Sequence, residues 1–448
     1  MRIIKMLINS VRELKKSNPY RMIAIGYFSY ALIGSILLAL PFFEKVHPTA
    51  YLDDIFVAIS AVSTTGLVTI SISDNYNFWG QLVILILIQL GGIGYMTMGS
   101  FIILSTLNRI DLSREQIQRQ VFNLPEHIST TKFIRLLIYY TFVVELLGAL
   151  FLYIFFTAAN IPHALWSAIF HSVSAFCTAG FSIYNNSLEP FYGNIGINLT
   201  ISVLCILGSI GFIIVYDIWN NSIKSKRPIS LTSKIILWST FLLIIFGTVI
   251  LFFFEPGIAG RALLDRTLTA FFQSMTSLTT AGFNTIPISP LSTFSFFLIT
   301  LLMVIGASPS GTGGGLKTTT FTALIGVMIS SMKGQHDIKF LNRTIPRQRV
   351  WLAVSSLCFY LSSLLLSTFL LLLHSGRFNF QQVLFEVASA LGTVGLTTGI
   401  TPELDSIEKI IITATMFIGR IGPMSFGIAL FLRHANTDFK FAEEDLAT

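Results

Sequence analysis

Apolar stretches that approach or exceed the roughly 20 residues a helix needs to cross a hydrocarbon layer recur along the whole chain. They lie near residues 22–43, 78–107, 133–159, 195–216, 235–254, 294–305, 350–373 and 410–432. The sixth is short: it breaks at Gly306 in a Gly/Ser/Pro stretch and resumes over 321–329. Only 11% of the 448 residues are charged and 53% are hydrophobic, whereas an average soluble domain is about a quarter charged. Too few polar groups remain to cover a globular surface. The pattern excludes a soluble enzyme, a disordered chain and a secreted disulfide scaffold. It points to an all-α integral membrane protein. Cys177, Cys205 and Cys358 sit in apolar runs without CxxC spacing and read as small buried hydrophobes. The opening segment has no apolar stretch followed by a small-residue cleavage site, so no signal peptide is expected.

The net charge of +7 is distributed unevenly. Arg2, Lys5, Arg12, Lys15, Lys16 and Arg21 precede the first run. Further basic groups (Arg109, Arg114, Arg119, Lys132; Lys224, Lys226, Arg227, Lys234; Lys333, Lys339, Arg343, Arg347, Arg349) fill every second connection. The other connections hold few, such as Lys45, Arg261 and Arg377. Basic loops stay on the cytoplasmic side, so eight spans with both termini cytoplasmic are expected, in a cell membrane. Contact with membrane lipid follows; nucleic acid is not an expected partner.

The outer connections share a second pattern. Each contains a short amphipathic stretch (DDIFVAISAVS, ALWSAIFHSVSAF, TLTAFFQSMTSL, VLFEVASAL) and then a small-residue segment. These segments contain Thr64-Thr65-Gly66, Thr178-Ala179-Gly180, Thr280-Ala281-Gly282 and Thr393-Val394-Gly395, each followed by a large apolar residue. Their glycines recur about 100–115 residues apart, far beyond a solenoid period. The chain thus reads as four repeats of span, re-entrant half-helix, TxG segment and span. The repeats cover 22–107, 133–220, 233–331 and 350–432, flanked by tails 1–21 and 433–448. Irregular backbone at membrane depth is tolerated only where it is buried or lines water. Four such loops on one axis would line a pore. Rings of backbone carbonyls replace the hydration shell of potassium. Glycine lets the chain turn its carbonyls inward, and half-helices pointing their carbonyl ends at the cavity favour a cation.

These motifs are similar to those of the Trk/Ktr/HKT potassium transport superfamily. The resemblance is closest to the membrane subunit of its Ktr type and covers essentially the whole chain. It is carried by the four TxG loops, by Ile88-Gln89-Leu90-Gly91-Gly92-Ile93-Gly94, by the stretch from Gly306 to Lys317, and by Phe417-Ile418-Gly419-Arg420-Ile421-Gly422-Pro423. The resemblance implies that the loop glycines line a selectivity filter. Four glycines imply potassium preference, since a serine at the first accompanies sodium permeation in plant relatives. It implies a homodimer and a separate cytosolic ring of RCK-type regulatory subunits (KtrA- or KtrC-like). ATP or ADP would then bind that partner, with no cofactor in this chain beyond the transported potassium. Two departures stand out: Ser277-Leu278-Thr279-Thr280 lacks an Arg that relatives often carry before the third glycine, and Cys177 stands where many have Asn.

The segment 306–316 follows a membrane run and matches neither nucleotide loop, because Leu316 separates Gly315 from Lys317 and occupies the place of a third glycine. Gly306, Ser308, Ser310, Gly311, Gly313, Gly314 and Gly315 leave its backbone unlocked. It reads as a flexible unwound stretch facing the pore, or as a plain kink; the resemblance implies an intramembrane gate. Lys317 follows the glycines and Arg420 interrupts the last apolar run; ionisable groups within a membrane usually face a cavity or a partner. Arg420 reads as a pore cation or as a structural group on helix-end carbonyls. Glu145 reads as a hydrogen-bond partner, Asp217 as interfacial and His171 as a satisfied buried residue. Asp53, Asp54, Glu403 and Asp405 form either a cation-gathering mouth or a solvated rim. A secondary cation transporter with a midplane site, sodium or sodium-coupled, is the competing reading. An intramembrane enzyme is not expected, since His163, His171, Glu145 and Asp217 share no motif.

Overall fold

The computed structural model describes residues 19–45, 49–94, 97, 100, 115, 119, 129–220, 228–335, 337–340 and 343–431. The chain begins with α1 (Pro19–Leu38), the short α2 (Tyr51–Val62) and α3 (Phe78–Ile93). Next come α4 (Thr130–Ala158), the short α5 (Ala164–Phe176), and α6 (Ile195–Ser209) with α7 (Phe212–Asp217). Then follow α8 (Leu231–Phe254), α9 (Leu263–Thr279), α10 (Thr293–Ile305) and α11 (Thr318–Met332). Last are α12 (Arg347–His374), α13 (Phe380–Gly392), α14 (Ser406–Ile421) and α15 (Pro423–Phe431). The order long helix, shorter helix, turn, second helix thus recurs along the chain. A ladder of Lys339–Phe340 against Arg343–Thr344 interrupts the otherwise helical pattern.

The long helices α1, α4, α8 and α12 are apolar and long enough to cross a membrane unbroken. Each buries only a stripe. On α4 that stripe includes Thr141, Glu145, Gly148, Leu152 and Phe156, at helical spacing. The opposite faces expose Leu146, Phe253, Trp351 and Leu365. Such apolar surface is a liability in water and a match for lipid.

The second helices are bounded differently. Each starts at a polar cap, Asn77, Asn194, Ser292 or Asp405, whose side chain accepts a first-turn amide. Each stops at an Ile-Gly pair, and Gly94, Gly211, Gly306 and Gly422 have φ of +86°, +94°, +69° and +89°. Left-handed backbone cannot continue a right-handed helix. The runs expected to be continuous over 195–216 and 410–432 are therefore broken, α6 to α7 by 81° and α14 to α15 by 95°. The break expected at Gly306 is present, and its flanking helices are α10 and α11. For the run expected over 78–107, helix α3 ends at Ile93, and most of the remainder lies outside the described residues. So do residues 1–18 and 432–448, and the loop groups Arg109, Arg114, Lys224, Lys226 and Arg227.

At Gly211 a side chain would press on the Pro309 carbonyl oxygen, whereas at Gly94 the nearest atom, Thr97 Oγ1, lies 3.6 Å away. Both carry the backbone penalty of about 1–3 kcal/mol for a non-glycine residue. Gly211→Ala is therefore expected to lower the unfolding temperature of the purified protein more than Gly94→Ala does. Equal shifts would contradict the packing assigned to this bend.

Candidate functional site

The short helices α2, α5, α9 and α13 run into turns with one shared backbone. Thr64, Thr178, Thr280 and Thr393 take φ of +52°, +50°, +56° and +49°. A β-branched residue there is an outlier, and such strain persists only where the surroundings over-determine it. The restraint is visible: the next amide, of Thr65, Ala179, Ala281 or Val394, donates to the carbonyl of Ser60, Ser174, Thr276 or Ser389 at 2.9, 2.8, 2.9 and 2.8 Å. Gly66, Gly180, Gly282 and Gly395 follow at φ of +93°, +68°, +79° and +94°.

These glycines also close a ring. A methyl group on Gly66 would strike the Ala179 carbonyl oxygen, one on Gly180 that of Ala281, one on Gly282 that of Val394, and one on Gly395 that of Thr65. The carbonyl of each middle residue thus rests on a neighbouring turn's glycine, and the last turn meets the first. All twelve TxG residues expected to act together lie in this one ring. The helices ending there place the negative ends of their dipoles around it. Among the described residues no group of three or more His, Cys, Asp and Glu could hold a metal ion; the ring itself presents backbone carbonyls and threonine hydroxyls.

The connection between α10 and α11 lies against the threonine side of the ring. Thr312 Oγ1 is 3.1 Å from Thr178 Oγ1 and donates to the Phe176 carbonyl at 3.1 Å. The Gly314 amide donates to Thr280 Oγ1 at 3.0 Å, and Gly314 also abuts Thr393. Arg420 completes the set: Nη1 donates to Thr64 Oγ1 at 2.9 Å and to the Thr312 carbonyl at 2.5 Å. Its Nη2 donates to the carbonyls of Gly91 and Gly92. The connection therefore touches the ring threonines, directly or through Arg420.

The expectation that nothing locks this backbone is corrected. Ser308 and Thr312 donate amides to the carbonyls of Ser209 and Gly208, both at 3.1 Å. Gly306 packs on Gly315, and Gly311 on the Ser209 carbonyl. Ser310 bonds to the start of α7, its carbonyl accepting from Phe212 at 3.2 Å and its hydroxyl from Ile213 at 3.2 Å. Lys317 Nζ donates to the carbonyls of Gly313 at 2.5 Å and Gly314 at 3.3 Å. Small residues permit close approach, and tertiary hydrogen bonds then fix the path. Of the two expectations for Arg420, the bonds match the structural one: the side chain holds helix-end carbonyls and the segment together.

Other expected residues serve the scaffold. Glu145 accepts from Gln89 Nε2 at 3.0 Å, and Cys177 Sγ lies 3.8 Å from its carboxylate. His171 is fully buried, with Ser167 and Ser182 at its two ring nitrogens. Asp217, expected at an interface, is buried and accepts from the Ser230 amide at 2.7 Å and the Ser233 hydroxyl at 2.6 Å. Asp53 and Asp54 are not part of a solvated rim: both are buried, Asp53 on Lys409 at 2.6 Å and Asp54 on Tyr76 at 2.7 Å. Asp405 and Glu403 are exposed, and Asp405 caps α14. On the outer connections, bonds from Ser71 and Asn185 hold the Asp74 carboxyl below its ordinary range.

Sequence reasoning missed two supports. A hydroxyl residue stands five positions before each middle residue, at Ser60, Ser174, Thr276 and Ser389. Ser60 and Ser389 accept the amides of Gly66 and Gly395 at 3.1 and 3.0 Å, and Ser174 donates to the Phe181 carbonyl at 2.7 Å. Their common offset was available as a signal. The second is Glu386, buried behind the fourth turn, for which a carboxylate in an apolar half-helix was the clue.

The TrkH cation transport protein family model matches residues 12–436. The chain is 32% identical to Ktr system potassium uptake protein B of Bacillus subtilis, over 96% of each chain. It is 34% identical to the potassium/sodium uptake protein NtpJ of Enterococcus hirae, over 98% of this chain and 99% of the relative. The fold is similar to the crystal structure of the potassium transporter TrkH from Vibrio parahaemolyticus, with a TM-score of 0.73, 19% identity and coverage of 92% of this chain and 84% of that one. With a match of this extent, the chain belongs to the TrkH family of cation transport proteins.

Proposed function

We propose that this chain is the ion-conducting subunit of a potassium uptake system in the cell membrane, with Thr64–Gly66, Thr178–Gly180, Thr280–Gly282 and Thr393–Gly395 as its selectivity filter. The observation that carries this reading is the closed ring of carbonyl-on-glycine contacts among four turns. Carbonyl rings substitute for the hydration shell of potassium, and four converging helix ends favour a cation. Relatives named as potassium uptake proteins support the choice of ion. The four segments 22–107, 133–220, 233–331 and 350–432 act as pore repeats, α2, α5, α9 and α13 being their re-entrant helices. Both termini are cytoplasmic.

The segment 306–316 is the gate, latched by Arg420 and Lys317. Its contacts with the ring threonines support a position across the ion path, where two cations would raise the barrier to a third. The chain works as a homodimer with a cytosolic RCK-type ring that binds ATP or ADP. The name of the Enterococcus relative, a potassium/sodium uptake protein, favours a second reading in which sodium is carried or drives uptake.

The primary test is potassium uptake by a potassium-transport-deficient bacterium expressing the chain, with and without a cytosolic regulatory subunit. Growth rescue at low external potassium is expected. Gly282→Ser is expected to lower potassium-over-sodium discrimination at least ~10-fold, since left-handed backbone and the Val394 contact both resist a side chain. Unchanged discrimination would remove the ring from selectivity, and uptake that requires external sodium would favour the second reading.

Deleting 310–314 removes the part of the segment that holds Thr312, and is expected to raise potassium flux per protein in vesicles. Arg420→Gln should raise flux in the same assay by loosening Thr312 from Thr64. If membrane abundance is normal and flux is not raised in either variant, the segment is structural.

A further inference from the structure

The four short helices differ at one buried position. Eight residues before the middle residue of each turn stand Val57, His171, Gln273 and Glu386, all at most 1% exposed. Three residues after it stand Val68, Ser182, Asn284 and Thr397, on the strand that leaves the turn. In two repeats the pair is a polar tie between helix and strand. His171 Nε2 lies 2.9 Å from Ser182 Oγ, and Thr397 Oγ1 donates to the Glu386 carboxylate at 3.0 Å. In the first repeat both residues are valine. In the third, neither amide atom of Gln273 has a hydrogen-bond partner, and Asn284 turns instead to Glu189 at 2.8 Å.

The fourth tie is the most heavily bonded of these. Thr397 Oγ1, Thr401 Oγ1 and the Thr398 amide converge on the two oxygens of Glu386. Thr401 Oγ1 also lies 2.9 Å from Thr397 Oγ1. One carboxylate thus fixes the strand two residues beyond Gly395, whose neighbour Val394 supplies the carbonyl that rests on Gly282.

We propose that Glu386 is a positioning residue for ion selectivity: by holding Thr397, Thr398 and Thr401, it sets where the fourth turn places its carbonyls in the ring. This rests on the filter reading above. A displaced carbonyl no longer matches the distance a dehydrated potassium ion requires, so potassium loses affinity while sodium is less well rejected. Val57 and Val68 put an apolar pair where the second and fourth repeats have a polar tie, so at this position the turns are backed by different chemistry behind a common backbone.

The test uses the full chain in the potassium-transport-deficient bacterium, with membrane abundance, KM and maximal rate for potassium, and potassium-over-sodium discrimination measured together. Glu386→Ala is expected to raise KM about tenfold and to lower discrimination similarly, the loss expected for hydrogen bonds to a charged group. Thr397→Val, which removes one donor from the other side, should shift KM and discrimination in the same direction by less. It carries the test if Glu386→Ala does not reach the membrane. Glu386→Gln, which keeps a carbonyl acceptor, should fall between wild type and Glu386→Ala. A maximal rate that falls only with abundance, at unchanged KM and discrimination, would overturn the proposal. Gly282→Ser is the reference: if it alters discrimination and the Glu386 and Thr397 variants do not, this proposal fails and the filter stands. If none of them alters it, both fail.

Discussion

A backbone that leaves its helix away from water must still satisfy its amides and carbonyls, and the ring of four turns is built around that requirement. The amide after each left-handed threonine returns to a carbonyl five residues back. The hydroxyls of Ser60 and Ser389 take the glycine amides that follow. With the amides turned back into the short helices, the carbonyls of Thr65, Ala179, Ala281 and Val394 are left to pack on the neighbouring turns' glycines. The strain at four threonines, about 1–3 kcal/mol each, is held by this repeated bonding. The long helices around it have a simpler task, presenting lipid with apolar faces and the ring with a packed interior.

The backbone is close to fourfold while the side chains are not. The connection between α10 and α11 unwinds into a long segment across the threonine side. One arginine, Arg420, reaches both that segment and the first turn. Arg420 thus ties one asymmetric element to a nearly symmetric ring. The same division runs behind the ring, where valine, histidine, glutamine and glutamate occupy equivalent positions.

Polar pairs elsewhere join segments, from a buried carboxylate at Asp53 to exposed groups at Asp74 and Asn185. Asp53 with Lys409 joins the first and last segments, Asp74 with Asn185 the first and second, and Glu189 with Asn284 the second and third. Removing Lys409 would leave the buried Asp53 carboxylate uncompensated. These bonds hold the turns in register from outside, as the hydroxyls do from behind.

Much of this was legible in the residues alone. Apolar length and sparse charge dictated membrane helices, because no other fold hides that much hydrocarbon. Four TxG segments at matched spacing marked the turns, because threonine and glycine at a helix end do little in a lipid-facing span. The Ile-Gly pairs at 93–94, 210–211, 305–306 and 421–422 were equally visible, yet only the third was read as a break. A lone glycine in an apolar run is compatible with a straight helix, and it is the packing against Pro309 at Gly211 that needs a bend there. Tertiary structure alone decided the closure of the ring, the partners of Arg420 and Lys317, and the burial of Asp53, Asp54 and Asp217. Those depend on which residues distant in sequence meet in space, and local pattern carries no record of that.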